Sequence, residues 1–169
     1  IPNLPKRIAL VTSATSAALQ DMLKVVTSRW KLSEIYIFDA LTQGENAPSS
    51  LIKALKRADK YGVDVIVLAR GGGSKEDLWC FNDEGLAREI YATKTPVISA
   101  IGHEIDYVIS DFVADRRSLT PSAAMLDLLP DEEAFFQYLD RLSDDLDSAL
   151  SLKITKKQNL LNVLLSKFS

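Results

Sequence analysis

The sequence has little of the two residue types that most often build disulfides, zinc sites and proton-transfer sites. Among 169 residues there is one cysteine, Cys80, and one histidine, His103. A single cysteine excludes an internal disulfide and a cysteine-based zinc site. It also fits a reducing compartment, so we expect a cytoplasmic protein.

Long apolar runs and an excess of positive charge are missing as well. No apolar stretch approaches the roughly 20 residues that cross a bilayer, and no signal-peptide pattern opens the chain. Residues 1–130 carry 15 Lys and Arg against 16 Asp and Glu, and residues 131–169 carry 5 against 7. We therefore expect no membrane association, and contact with nucleic acid has to rest on a local site.

Short apolar, β-branched runs alternate with helical patterns over the first 130 residues. The predicted strands cover residues 7–13, 34–40, 63–69 and 96–100. The predicted helices cover residues 14–28, 51–61 and 84–92, and a turn at Pro121 is predicted to lead into the segment 122–129. This alternation, with short connections, predicts an α/β fold whose open, mainly parallel sheet is flanked by helices.

Local signals refine two boundaries of the second predicted helix. Gly44, Asn46 and Pro48 predict a loop over residues 41–50, with Ser49 or Ser50 capping the helix after it. Gly62 is the expected end of that helix.

From residue 131 the pattern is that of one long helix without glycine or proline. Its apolar residues recur at steps of three, four and seven, so we predict a coiled-coil-like segment that pairs with another helix, including a second copy of the chain. Lys153, Lys156 and Lys157 fit a solvated helix face better than a nucleic-acid contact. Because the chain begins with Ile rather than Met, we expect a fragment or a processed form.

The segment ARGGGS, residues 69–74, follows the third predicted strand. Open α/β sheets bind ligands at the carboxyl ends of their strands, and Arg70 offers a planar group matched to phosphate or carboxylate. The N–H groups of three successive glycines can form an anion-binding concavity and let the backbone turn sharply. The segment matches neither a Walker A loop nor the dinucleotide-binding pattern, so a plain tight turn is the alternative interpretation.

His103 follows the fourth predicted strand and is flanked by Glu104 and Asp106. An imidazole suits proton transfer near neutral pH, and a neighbouring carboxylate can orient it; a surface histidine is the alternative. Asp21, in the first predicted helix, fits a solvated carboxylate on pattern alone. Asp21, Glu104 and Asp106 could instead hold Mg²⁺, although no tight cluster of acidic ligands is visible in the sequence.

Two aromatic residues, Trp79 and Phe81, follow the glycine segment. We favour a role for both in packing beneath that segment. Stacking on the bases of a single strand is the alternative.

Together these segments resemble the catalytic domain of the exonuclease VII large subunit. The matching stretches occur in the family's order between about residues 5 and 130. They are VTSAT (11–15), RGGGS (70–74), EDLW (76–79), FN (81–82), PVISA (96–100), GHE (102–104), DFVADR (111–116) and TPSAA (120–124).

The resemblance implies a bacterial nuclease that degrades single-stranded DNA from either end to nucleotides and short oligonucleotides. It implies an α/β catalytic domain over residues 1–130 and a helical segment over 131–169 that carries small subunits and that we expect to be truncated here. It also implies an N-terminal OB-fold, which we expect to be absent from this chain. No cofactor is expected to be required, with Mg²⁺ as an option. The implied catalytic residues are Asp21, Arg70, His103 and Asp106. The implied phosphate- or DNA-binding residues are Thr12, Ser13, Thr15, Gly71, Gly72, Gly73, Ser74 and Glu104.

Three positions depart from the family's usual pattern. Ser16 stands where the family usually has Gly, Ile105 where it usually has Thr, and Leu119 is unusual before Thr120 and Pro121. The residues by themselves also fit a non-catalytic nucleotide- or phosphate-binding module, or a scaffold protein whose long C-terminal helix is its functional segment.

Overall fold

A computed structural model of the chain describes residues 1–72, 76–101 and 107–167, which form two compact units that divide after Pro130. The first unit contains strands β1 (Arg7–Thr12), β2 (Glu34–Asp39), β3 (Val65–Ala69), β4 (Val97–Ala100) and β5 (Arg116–Arg117). They form one five-stranded sheet in the order β2-β1-β3-β4-β5, and every neighbouring pair is parallel. The predicted α/β fold with a parallel sheet is thereby confirmed.

Helices connect and cover these strands. They are α1 (Ala17–Arg29), α2 (Ala47–Tyr61), α3 (Glu84–Ala92), α4 (Ile109–Val113), α5 (Pro121–Leu128) and α6 (Glu132–Ser166), with a 3₁₀ helix over Glu76–Asn82. The sequence prediction missed α4, the 3₁₀ helix and β5. Each is short, and a two-residue strand carries no periodicity that could reveal it.

Two helix starts differ from the prediction for identifiable reasons. α1 begins three residues later than predicted because Ser16 is its N-cap, with its hydroxyl accepting the N–H of Leu19 at 3.1 Å. α2 begins at Ala47, four residues earlier than predicted, with Pro48 in its first turn. A proline there loses no helical hydrogen bond, so Pro48 starts the helix rather than breaking a loop. Gly62 ends α2 with a φ of 78°, as predicted.

The core lies between the sheet and its helices. Strands β1 and β3 are apolar and almost entirely buried, as expected for parallel strands covered on both faces. Ala9, Val11 and Leu68 pack in one cluster with Leu51 and Leu55 of α2. Helix α1 packs against α5, and α2 packs against α3.

Helix α6 forms the second unit and none of its 35 residues is buried. Its apolar residues, including Leu139, Leu146 and Ile154, are exposed. The coiled-coil pairing of this segment stays a prediction. Within the described ranges, no helix is both long and apolar enough to cross a membrane.

A buried ion pair holds β4, β5 and α4 together. The side chain of Asp111 in α4 is only 1% exposed and faces the Arg117 guanidinium, with Nε and Oδ2 3.3 Å apart. The same carboxylate accepts the hydroxyl of Ser99 at 2.5 Å and the N–H of Val108 at 3.2 Å. These bonds fix the chain from residue 108 onward against the carboxyl ends of two strands.

We expect Asp111→Ala to lower the free energy of unfolding by about 3–5 kcal/mol, because it removes the carboxylate that offsets a largely buried Arg117 charge. Urea denaturation measures the change. The matched control is Asp127→Ala, which breaks the exposed pair of Asp127 with Arg116 and should cost about 0–1 kcal/mol. Equal losses in the two variants would contradict a structural role for the buried pair.

Candidate functional site

The strand order determines where a ligand-binding crevice opens at the carboxyl ends of the strands. Strand β1 lies between β2 and β3, so the segments that leave β1 and β3 run in opposite directions. Such a divergence opens a crevice at the carboxyl ends of the two strands. Ser13 follows β1 and Arg70 follows β3, so the sheet places both predicted residues at this crevice.

A cavity of about 270 Å³ lies at the crevice and contains two of the predicted catalytic residues, Asp21 and Arg70. Gly71 and Gly72 line it as well, together with Ile101 at the end of β4. The rest of its described wall comes from the starts of two helices, namely Ala17, Ala18, Leu119, Thr120, Pro121 and Ser122.

A second cavity, of about 340 Å³, shares Arg70, Gly71 and Gly72 with the first. Ser13 and Ser16 also line it, with residues 41–43 from the segment after β2. Arg70, Gly71 and Gly72 therefore border both spaces.

The ends of α1 and α5 add positive potential to the first cavity. Ala17 and Ala18 open α1, and Pro121 and Ser122 open α5, so both helices direct their N-termini toward this space. A helix N-terminus carries a partial positive charge and N–H groups that have no partner within the helix. Asp21 is the one carboxylate on the described wall, and it is half-exposed and paired with Lys24 at 3.1 Å. The cavity is therefore suited to an anion.

An ion pair orients Arg70 at the junction of the two cavities. Its side chain is 5% exposed, and its Nη2 lies 3.0 Å from Oδ2 of Asp77 in the 3₁₀ helix. A guanidinium has five N–H donors, so one bond to a carboxylate leaves donors that can reach a ligand. Sequence reasoning missed the role of Asp77, because nothing in the pattern indicated a helical turn that brings it back to Arg70.

The two described glycines of the predicted loop are not required by the fold. Among the described residues, only Gly44 and Gly62 have positive φ, so Gly71 and Gly72 lack the left-handed φ that favours glycine. A Cβ on Gly72 would meet no atom within 4 Å, and one on Gly71 would make an ordinary 3.6 Å contact with Ala18. Neither a left-handed φ nor a steric contact therefore explains glycine at these two positions, and the sharp turn of the three-glycine segment stays a prediction because Gly73 lies outside the described residues. What a missing side chain provides here is close approach of a ligand to the backbone.

The remaining predicted site residues divide into two groups. Thr12 is fully buried and its hydroxyl lies 3.3 Å from that of Ser16, whereas Thr15 is exposed and lies 3.3 Å from the Ser13 hydroxyl. Neither threonine lines the two cavities. The other predicted residues lie outside the described part of the chain; they are Gly73, Ser74, His103, Glu104 and Asp106.

The aromatic pair beyond the glycine segment is split by the 3₁₀ helix. Phe81 is fully buried with Leu78, as predicted, but Trp79 is 75% exposed, so the predicted packing role is wrong for Trp79. With three residues per turn, positions 78 and 81 share the inner face and position 79 falls on the outer one.

No group of three or more His, Cys, Asp or Glu side chains within the described residues could hold a metal ion. The Mg²⁺ alternative depends on Glu104 and Asp106, which those residues do not include. Burial raises the pKa of the Cys80 thiol, although the nearby Arg70 charge acts in the opposite direction. Cys80 is therefore a protonated packing residue at neutral pH.

Two of the three departures from the family pattern lie at the cavities. Ser16 caps α1 and lines the second cavity, and Leu119 lines the first. The third, Ile105, is outside the described residues.

The family model and the individual relatives that this chain matches belong to the same family. A family model described as "Exonuclease VII, large subunit" matches residues 1–169. A protein of Campylobacter fetus subsp. fetus named "Exodeoxyribonuclease 7 large subunit" is 60% identical over 164 residues, which cover 97% of this chain and 42% of that protein. Proteins of the same name from Campylobacter jejuni and Campylobacter lari are 59% and 61% identical, over 99% and 85% of this chain.

The chain spans about two fifths of the length of these curated relatives. The match nevertheless covers all of the sequence and includes the strands, the glycine segment and α6. The resemblance that the motifs indicated is confirmed, and the chain belongs to the exonuclease VII large-subunit family.

Proposed function

We propose that this chain is the catalytic part of an exonuclease that hydrolyses the phosphodiester bonds of single-stranded DNA, from either end, to nucleotides and short oligonucleotides. The observation that carries the proposal is the convergence of Arg70 and the N-termini of α1 and α5 on one cavity. That arrangement suits a phosphate group, and membership of the family supports nuclease chemistry.

Arg70 and the backbone N–H groups of Gly71 and Gly72 bind the oxygens of the scissile phosphate. They stabilise the negative charge that grows on these oxygens as water attacks. Asp77 acts beforehand by holding the guanidinium in place, which lowers the cost of orienting it in the transition state. Asp21, on the same wall, positions the attacking water or a cation.

Proton transfer is assigned to His103. It takes a proton from the attacking water or gives one to the leaving oxygen, and Asp106 orients it or activates water in its place. The support from the described residues is that Ile101, two positions before His103, lines the cavity that contains Arg70 and Asp21.

The wider setting belongs to the same proposal. The name "large subunit" that the relatives carry implies small subunits, and the exposed apolar residues of α6 supply a surface for them. We place the complex in the cytoplasm and expect no required metal cofactor, because a guanidinium and two helix N-termini already provide positive potential at the phosphate.

Cleavage of end-labelled single-stranded and duplex DNA by the full-length large subunit with its small subunits tests this mechanism. We expect short products from the single strand only. His103→Ala should abolish them, and Arg70→Ala should lower kcat by about 100- to 1,000-fold. Arg57→Ala, at an exposed arginine over the Phe38 ring, is the control and should cleave normally. Binding without cleavage by the unmodified complex would favour the non-catalytic phosphate-binding module.

Removal of divalent metal is a separate test. We expect the same complex to keep its cleavage rate in excess EDTA, because the proposed transition-state contacts come from protein groups. Loss of cleavage in EDTA, restored by Mg²⁺, would contradict the metal-free mechanism and favour the alternative in which Asp21, Glu104 and Asp106 bind Mg²⁺.

Gly72→Ala separates ligand contact from folding. A Cβ at this position meets no protein atom and the backbone is not left-handed, so we expect the melting temperature to stay the same or to rise slightly. We expect kcat/KM to fall at least several-fold, because the new methyl group occupies space that the phosphate needs. Unchanged kcat/KM would place the phosphate elsewhere.

A further inference from the structure

A third cavity, of about 570 Å³, lies beside the Arg70 site and is bordered by Trp79. Part of its lining is the 3₁₀ helix, with Asp77, Trp79 and Asn82, and another part includes Glu45, before α2, and Pro48 in its first turn. The indole of Trp79 is 75% exposed. A large exposed aromatic ring at the border of a cavity is an available stacking surface.

The 3₁₀ helix that carries Trp79 is anchored on several sides. Leu78 and Phe81 bury its inner face in the core. The hydroxyl of Ser110 donates to the Phe81 carbonyl at 2.8 Å, and the N–H of Ile109 donates to Oδ1 of Asn82 at 2.8 Å. The backbone beneath the indole is therefore held in place, which reduces the entropy lost when a ligand stacks on it.

The charge of this cavity selects against phosphate. Its described lining contains four acidic residues, Glu45, Asp77, Asp83 and Glu84, and no Lys or Arg. Asp77 is paired with Arg70, Asp83 caps α3 by accepting the N–H of Leu86, and Glu84 is paired with Arg88, which leaves each of these carboxylates with further acceptor positions. Carboxylates accept hydrogen bonds from the amino groups of cytosine, adenine and guanine. The cavity is thus matched to a nucleobase, whereas the neighbouring Arg70 site is matched to a phosphate.

Asp77 connects the two sites. Its carboxylate is bonded to Arg70 at 3.0 Å, and the same residue lines the cavity beside Trp79. Asp77 is therefore shared between the proposed phosphate site at Arg70 and the cavity beside Trp79.

We propose that Trp79 and the cavity beside it form a base-binding subsite, in which the indole stacks on one nucleobase while Arg70 holds a neighbouring phosphate. The subsite rests on the proposed nuclease function. It adds a recognition element that favours bases with an amino group over thymine at one position of the strand.

Affinity measurements in a cleavage-deficient background test the subsite without relying on activity. The full-length large subunit carrying His103→Ala, with its small subunits, is titrated against short fluorescent single strands in which one nucleotide at a time is abasic. We expect the abasic nucleotide at one position to weaken binding about tenfold. The double variant His103→Ala/Trp79→Ala should bind the intact strand about tenfold more weakly than His103→Ala alone does. An abasic nucleotide at that position should not weaken the binding of the double variant any further.

Two further variants make the result specific. Trp79→Phe should retain most of the affinity, because a phenyl ring still stacks. Tyr91→Ala removes an aromatic ring that is 84% exposed and does not line the cavity, so it should bind like the unmodified protein. A Trp79→Ala variant that binds every strand as tightly as Tyr91→Ala would overturn the subsite.

Base identity is tested at the position that the abasic series identifies. Cytosine there should bind more tightly than thymine, and Trp79→Ala should reduce the difference. Equal affinity for the two bases would overturn the assignment of the carboxylates. A strand that binds with all these dependences but is not cleaved by the unmodified complex would contradict the nuclease function and leave the subsite intact.

Discussion

The arrangement of the site depends on one feature of the sheet, the position of β1 between β2 and β3. Because the segments after β1 and β3 diverge, the sheet edge opens at one place, and Ser13 and Arg70 lie at its two sides. The packing of α1 against α5 then brings both helix N-termini to this opening. Much of the positive potential at this opening comes from backbone N–H groups at the helix N-termini. It therefore does not require a buried cationic side chain without a counter-charge.

The parts of this arrangement that the sequence predicted are those with a strong local signal. β1 and β3 are buried on both faces, so their residues form β-branched runs that cannot be mistaken for amphipathic helices. Arg70 could be placed at a strand end for the same reason. The contribution of α5 could not be predicted, because it depends on how α5 packs against α1, and packing of distant segments leaves no periodicity in either one.

Short and irregular elements account for most of the remaining differences. The 3₁₀ helix moves Asp77 next to Arg70 and places Trp79 outside the core, although the two aromatic residues looked equivalent in the sequence. Pro48 looked like a helix breaker and stands in the first turn of α2 instead. In each case the residue type was informative, but its role depended on a position within a single turn that sequence patterns do not resolve.

Helix α6 has a consequence for how the stability of this chain should be understood. Most helical stability in proteins comes from packing of an apolar face, and none of the 35 residues of α6 is buried. If α6 pairs with another helix, as we predict, the free energy of that pairing grows by mass action with the concentration of the partner. The first unit has its own core. Under that prediction the α/β unit has a melting temperature of its own, whereas the melting temperature of α6 depends on the partner present in the sample.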